Sequence, residues 1–398
     1  MLTTKQYIPS PIPFFLFGYF YYLILPYFGL TYLSDYFLVQ KALNFISLDF
    51  FNIYYLIDLF LILFFWYFGY KLFFNVNYQI NSKSFLDKIS YFKFSPFILF
   101  LFLFLLFIVF ILNTFSRGVI LFSGYSSYDV VVLGPFATLI FISVFFINYF
   151  DTKKAKKLFF IIFFISSTVL LGLGSRMFFV LGVITLMIGY ISQNRAILKS
   201  SKFYVIIVML FLFVVYIGVW RSSNSELTIE MFVSIFIIEP IFTLTSAATY
   251  FSNVGERPII NIPTDIMAAI INFIPTVIFP DKLEVLNNLI DDPNKYSPFG
   301  ANALLVNSYS NFGFLYPIYF FIIGAYIGYI RKKAFSSKFF KAVYFSILPI
   351  FMFHFYREGF ITVIKILFFN AFIFPFIIIL LFYIVFNKNQ KKASINGY

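Results

Sequence analysis

Uninterrupted apolar runs, most of them close to twenty residues long, recur along the whole chain. They lie near 12–32, 51–72, 95–113, 130–150, 158–174, 177–192, 203–220, 312–330, 342–356 and 360–386. A helix needs roughly 20 such residues to cross about 30 Å of hydrocarbon. No backbone N–H or C=O can be left unpaired in lipid, so each run is expected to be a helix. The runs are continuous and do not alternate apolar with polar, which excludes a transmembrane β-barrel. Composition agrees: 62% of residues are hydrophobic and 11% charged, against about half and a quarter in soluble domains. The expected fold is therefore all-α, a polytopic transmembrane bundle of about ten spans forming one integral membrane domain over 1–398. The first run, Phe14 to Leu30, has no small-residue cleavage site and reads as a retained span, not a signal peptide.

A formal net charge of +13 raises the question of nucleic acid, but the distribution of the charge answers it differently. With the N-terminus inside and ten spans alternating, the inside segments are the N-terminus, 71–94, 151–157 (DTKKAKK), 193–202, 331–341 (RKKAFSSKFFK) and the tail after Asn387. These hold most of the 29 Lys and Arg, while Asp87 and Asp151 are the only inside acids of 16. That is the positive-inside pattern, with both termini cytoplasmic and membrane lipid, not nucleic acid, as the surrounding partner.

One long segment, 221–311, is left outside. It contains two further apolar stretches, Met231–Tyr250 and Ile266–Phe279, interrupted at Glu239-Pro240 and at Pro275. Counted as spans they bring the total to twelve. The preferred reading is a large periplasmic or extracellular loop whose helices lie on or dip into the interface, and a long loop on a bundle of short ones is a functional surface. No internal repeat is visible, so an inverted-repeat transporter is not supported.

The chain has no cysteine and one histidine, His354. Thiol chemistry and Cys or His-rich metal sites are excluded, and the doublet Asp291-Asp292 is a weak basis for any other metal site. The arginines are unevenly placed. Lysines gather inside, whereas Arg117, Arg176, Arg221, Arg257 and Arg357 fall at the outer face. An always-charged planar fork that grips phosphate oxygens in pairs suits a pyrophosphate carried on a lipid; taken singly, each arginine also reads as a residue snorkelling from a helix end. Outer carboxylates able to act as a base are Glu226, Glu230, Glu239, Glu256, Asp265, Asp281 and Glu358. Glu239 lies in an apolar stretch where burial favours proton uptake.

Three stretches carry a family resemblance: Ile271-Asn-Phe-Ile-Pro-Thr-Val-Ile-Phe-Pro-Asp-Lys-Leu; Phe299-Gly-Ala-Asn; and Asn307-Ser-Tyr-Ser-Asn-Phe-Gly-Phe-Leu-Tyr-Pro followed by Ile323-Gly. With the turns Gly172-Leu-Gly-Ser-Arg176 and Arg357-Glu-Gly, they resemble the Wzy-type oligosaccharide repeat-unit polymerases of O-antigen and capsule synthesis. The resemblance implies a GT-C-like, membrane-embedded glycosyltransferase of the bacterial inner membrane. Such an enzyme moves a growing glycan from polyprenyl pyrophosphate onto the next lipid-linked repeat unit, without cofactor or metal, alongside a chain-length regulator and a flippase. It also implies that Arg176, Arg221, Arg257 and Arg357 hold the pyrophosphate and that Glu239 or Glu256 activates the acceptor. An O-antigen ligase shares the architecture but depends on an outer-loop histidine, which this loop lacks. A transporter or flippase for an anionic lipid-linked substrate is the other alternative.

Overall fold

The computed structural model describes residues 7–35, 37–46, 50–75, 95–122, 130–222, 229–254, 259–274, 279–289, 297 and 300–395. The described residues are 84% helix, with no strand among them. The long helices are α1 (Ile12–Tyr32), α2 (Ile53–Asn75), α3 (Pro96–Ser116), α4 (Val130–Tyr149), α5 (Lys153–Gly172), α6 (Arg176–Gln193), α7 (Ser201–Ser222) and α8 (Ile229–Val254). They continue with α9 (Tyr316–Ala334), α10 (Lys338–Ile347) and α11, which runs from Phe360–Ile364 through a π segment at Lys365–Ile373 into Phe374–Ile395. Among the described residues, seven helices are long and apolar enough to cross a membrane. The chain is thus a multi-pass, membrane-embedded helical protein.

Local rules explain the helix starts. Pro13, Pro96 and Pro317 sit in first turns, where the missing N–H is not needed. Arg331, Lys332 and Lys333 crowd the last turn of α9, opposite in sign to its dipole.

The tightest crossing is between α2 and α9. A Cβ on Gly324 would meet the Trp66 carbonyl, on Gly328 the Tyr70 carbonyl, and on Gly69 the Phe321 carbonyl. Gly324 and Gly328 are four apart and share a face, so backbone rests on backbone as in small-xxx-small membrane pairs.

The segments expected inside meet at one end. The Tyr7 N–H donates to the Ser192 carbonyl at 3.2 Å, Arg331 to the Ile8 carbonyl at 3.4 Å, and Tyr344 Oη to the Pro9 carbonyl at 2.7 Å. Arg195 lies over the Tyr7 ring, and Lys338 pairs with Asp151. At the other end the Phe122 N–H bonds to the Gly172 carbonyl at 2.7 Å, and Asn307 Nδ2 to the Glu358 carbonyl at 2.9 Å. Because the chain has no cysteine, single-cysteine labelling checks this directly. Ser336→Cys and Ser252→Cys, both at exposed positions, are expected to react with an impermeant maleimide from opposite sides of sealed vesicles.

The 221–311 segment, expected to be a large outer loop whose helices lie on or dip into the interface, forms helices in both of its apolar stretches. Residues 229–254 form one helix, α8, whose second half is buried against α1 and the helix Leu304–Phe312. Glu239-Pro240 does not break it. Pro240 lacks the N–H that would pair with the Phe236 carbonyl, and Tyr21 Oη from α1 donates to that carbonyl at 2.6 Å instead. Tyr21 stands in a π turn, Phe20–Ile24, inside α1. Among the described residues the second stretch yields the helix Thr264–Asn272, whose nine residues reach about 14 Å, less than a span needs.

Candidate functional site

Arg176 is delivered by a tight helix exit. α5 ends at Gly172, and Gly174 takes φ +79°, a conformation that favours glycine. The Ser175 N–H then bonds to the Leu170 carbonyl at 2.8 Å and the Gly174 N–H to the Leu171 carbonyl at 2.9 Å, a Schellman closure. Arg176 follows as the first residue of α6, where the helix dipole adds to its attraction for anions.

Arg357 is placed by a broken helix. α10 gives way to a 3-10 turn, Leu348–Met352, then a break at Phe353, one helical turn at His354–Arg357, and extended backbone at Glu358. Irregular backbone inside a membrane bundle survives only when buried in protein. Here Phe351, Phe355 and Tyr356 are fully buried, and Tyr356 Oη donates to the Phe15 carbonyl at 2.9 Å.

These two elements and α8 converge on Glu239. Arg357 Nη1 lies 2.9 Å from Glu239 Oε1, Arg176 Nη2 lies 3.9 Å from Oε2, and Arg357 Nη1 is also 3.8 Å from Glu358 Oε1. The Arg357 contact to Glu239 is a close ion pair; the Arg176 contact is longer and coulombic. All four side chains are about a fifth to a third exposed, so the charges are neither screened like surface pairs nor sealed off. Tyr21, Tyr22 and His354 lie within electrostatic reach of Glu239 and Arg357. Tyr22 Oη and His354 Nδ1 are buried without a hydrogen-bond partner among the described residues. Burial pushes the Glu358 carboxyl up from the ordinary glutamate range; Arg357 opposes the shift and Glu239 adds to it.

The cluster lies at the end of the bundle remote from the basic residues, partly shielded by its neighbours. Arg176 and Ser192 are separated by most of α6, about 24 Å at 1.5 Å per residue, while α1 continues to Tyr32, beyond the level of Tyr22. Arg221 lies in the last turn of α7, and Arg117 follows α3, exposed. Arg257 and Glu256 fall outside the described residues, as does Asp291-Asp292. No cluster of potential metal ligands occurs among the described residues.

Two charged residues were not singled out from the sequence. Asp58, 3% exposed in α2, accepts from Tyr309 Oη at 2.6 Å and Tyr316 Oη at 2.8 Å. Lys365, in the π segment of α11, is half-buried beside Gly134 and within coulombic reach of Lys282. Among the described residues no carboxylate lies within ion-pair range of it. Each is an ionisable group inside an apolar run, the signal that marks intramembrane function by default. The polar residues of the 307–311 motif hold the chain together: Asn307 secures the Glu358 turn, Tyr309 binds Asp58, and Asn311 Nδ2 binds Asp265 Oδ2 at 2.9 Å.

The arrangement can do two things chemically. Two guanidinium groups from separate helices can exchange a carboxylate for a phosphate, and a carboxyl whose pKa is raised beside them can take up and release a proton. Compared with known proteins, the chain matches no family model, no curated protein and no solved structure.

Proposed function

We propose that this chain is a membrane-embedded glycosyltransferase that polymerises polyprenyl-pyrophosphate-linked oligosaccharide repeat units. The observation that carries the proposal is the convergence of Arg176 and Arg357 on Glu239, in the part of the bundle remote from its basic end. By the positive-inside tendency the basic end is cytosolic, so the cluster opens toward the outer side of a bacterial cytoplasmic membrane. O-antigen, capsule or exopolysaccharide chains are the products this reading allows.

In the proposed reaction the acceptor hydroxyl attacks the donor sugar's anomeric carbon. The bond from that carbon to the pyrophosphate oxygen breaks, and the lipid pyrophosphate departs with the electron pair. Arg176 and Arg357 face the charge that develops on it. The hydroxyl proton passes to a carboxylate. Glu239 already holds two guanidinium groups and is released from them only when phosphate takes its place. Glu358, beside Arg357 and pushed up by burial, is the better placed acceptor.

The test is polymerisation by purified protein in proteoliposomes supplied with lipid-linked repeat units. A ladder of longer chains is expected; unchanged single units overturn the reading. A general base works deprotonated, so the rate is expected to fall as pH drops through the raised Glu358 pKa, above the ordinary carboxylate range. Glu358→Gln is expected to remove that limb and to slow turnover about a hundredfold. A variant with the wild-type pH profile assigns the proton elsewhere.

A further inference from the structure

Lys365 holds positive charge in the bundle apart from the arginine cluster. It opens the π segment of α11, Lys365–Ile373, and π segments inside helices recur at functional sites. Its Nζ reaches across to α4, where a Cβ added to Gly134 would lie 2.8 Å from it. α4 begins at Val130, so the ammonium stands about 6 Å along that helix from its outer start. One turn further in on the same two helices, Thr138 Oγ1 and Asn370 Oδ1 are 3.3 Å apart, so the seam between α4 and α11 stays polar below the lysine.

A second cation is brought to it by the 221–311 segment. Phe273, just past the helix Thr264–Asn272, stacks on Phe369 with ring centroids 3.3 Å apart and planes 4° from parallel. Phe369 lies about one turn beyond Lys365 on α11. On either side of Phe273, the carbonyls of Asn272 and Ile274 accept from Lys282 Nζ at 3.1 and 3.2 Å. An ammonium has three donors, so Lys282 can hold this turn and meet a ligand at the same time. Lys282 is the charged group that acts on Lys365, and it carries the same sign. Asp281 and Glu284 flank Lys282 along the chain, but among the described residues neither forms an ion pair with either lysine; Glu239 and Glu358 face the arginines.

We propose that Lys365 and Lys282 together bind the terminal phosphate of a lipid at the outer side of the membrane. A lysine inside an apolar run calls for an anionic partner or a wet cavity, and here the facing charge is repulsive. A terminal phosphate brings three strong acceptor oxygens and close to two negative charges, enough for two ammonium groups at once. The helix Thr264–Asn272 exposes Met267 and Ile270, which gives the tail of such a lipid an apolar surface next to the phosphate. Nothing in this site depends on the polymerase reading.

The test uses a reporter beside the site. The chain has no cysteine, so Ile270→Cys in the full-length protein carries a single bimane label. In a neutral maltoside detergent, farnesyl phosphate is expected to change its fluorescence saturably, and farnesol, the same tail without phosphate, to leave it unchanged. Lys365→Gln is expected to weaken the apparent affinity about tenfold, the loss of one charged hydrogen bond, and Lys365→Arg to restore most of it. Lys282→Gln, with a loss of similar size, serves if Lys365→Gln is not recovered. Wild-type affinity in these variants, or an equal response to farnesol, overturns the proposal. So does saturation by inorganic phosphate at the same concentration, which assigns a free ion, or by phosphatidylglycerol, which assigns a diester. A response lost in Arg357→Ala would place the probe in the arginine cluster and overturn it as well.

Discussion

Arg357→Ala is expected to lower the polymerisation rate by a factor of about 100 to 1,000, the usual effect of deleting one donor aimed at developing charge, while the protein still inserts and purifies. The residue sits on a single helical turn between two breaks, and its guanidinium makes the short contact to Glu239 at 2.9 Å. Removing it leaves Glu239 with the longer Arg176 contact of 3.9 Å and leaves a departing pyrophosphate with one fork in place of two. Arg357→Lys keeps the charge but not the planar pair of donors, so only partial recovery is expected. A ladder of wild-type length from Arg357→Ala, at matched protein levels, removes the pyrophosphate clamp from consideration. Arg176→Ala is the natural companion, because the two arginines come from different helices and fail for the same reason only if they share a ligand.

A second large effect is expected far from any chemistry. Gly324→Leu is predicted to abolish recoverable folded protein. A Cβ at this position meets the Trp66 carbonyl, a backbone atom that no rotamer change can move. Accommodating a leucine requires α2 and α9 to separate, which also undoes the Gly69 and Gly328 contacts along the same seam. Ordinary overpacking costs about 1–3 kcal/mol; forcing apart the closest helix pair in the bundle is expected to exceed that. Ile322→Leu is the control, two residues away on an exposed position. Monodispersity in detergent separates them: the control elutes as wild type and Gly324→Leu does not. If Gly324→Leu purifies normally, the close crossing is not a determinant of folding.

The sequence showed the spans plainly, because twenty apolar residues in a row have few alternatives, and the charge asymmetry matches the gathering of 7–9, 151, 192–195 and 331–338 at one end. It showed less of the site. Arg176 and Arg357 could be marked as arginines in outer turns, but that both reach one carboxylate on α8 is a tertiary fact. α8 itself was obscured by Glu239-Pro240, which reads as an interruption until the partner of the freed carbonyl is known. Asp58 and Lys365 are visible in the sequence as lone charges in apolar runs, but their partners lie far away along the chain. Arg257 and Glu256 remain assigned by resemblance alone.

The bond from Tyr21 to the Phe236 carbonyl has a consequence for that carboxylate. Neither helix can satisfy this carbonyl by itself, and in oil no water arrives as a substitute. Drawing α8 away from α1 would therefore expose a naked acceptor at a cost of at least about 2 kcal/mol. Glu239 sits one turn further along α8, so its height above the cytosolic side is pinned by a phenol on another helix. In the proposed reaction the arginine side chains are then the groups that move between carboxylate and phosphate, while the carboxylate stays still.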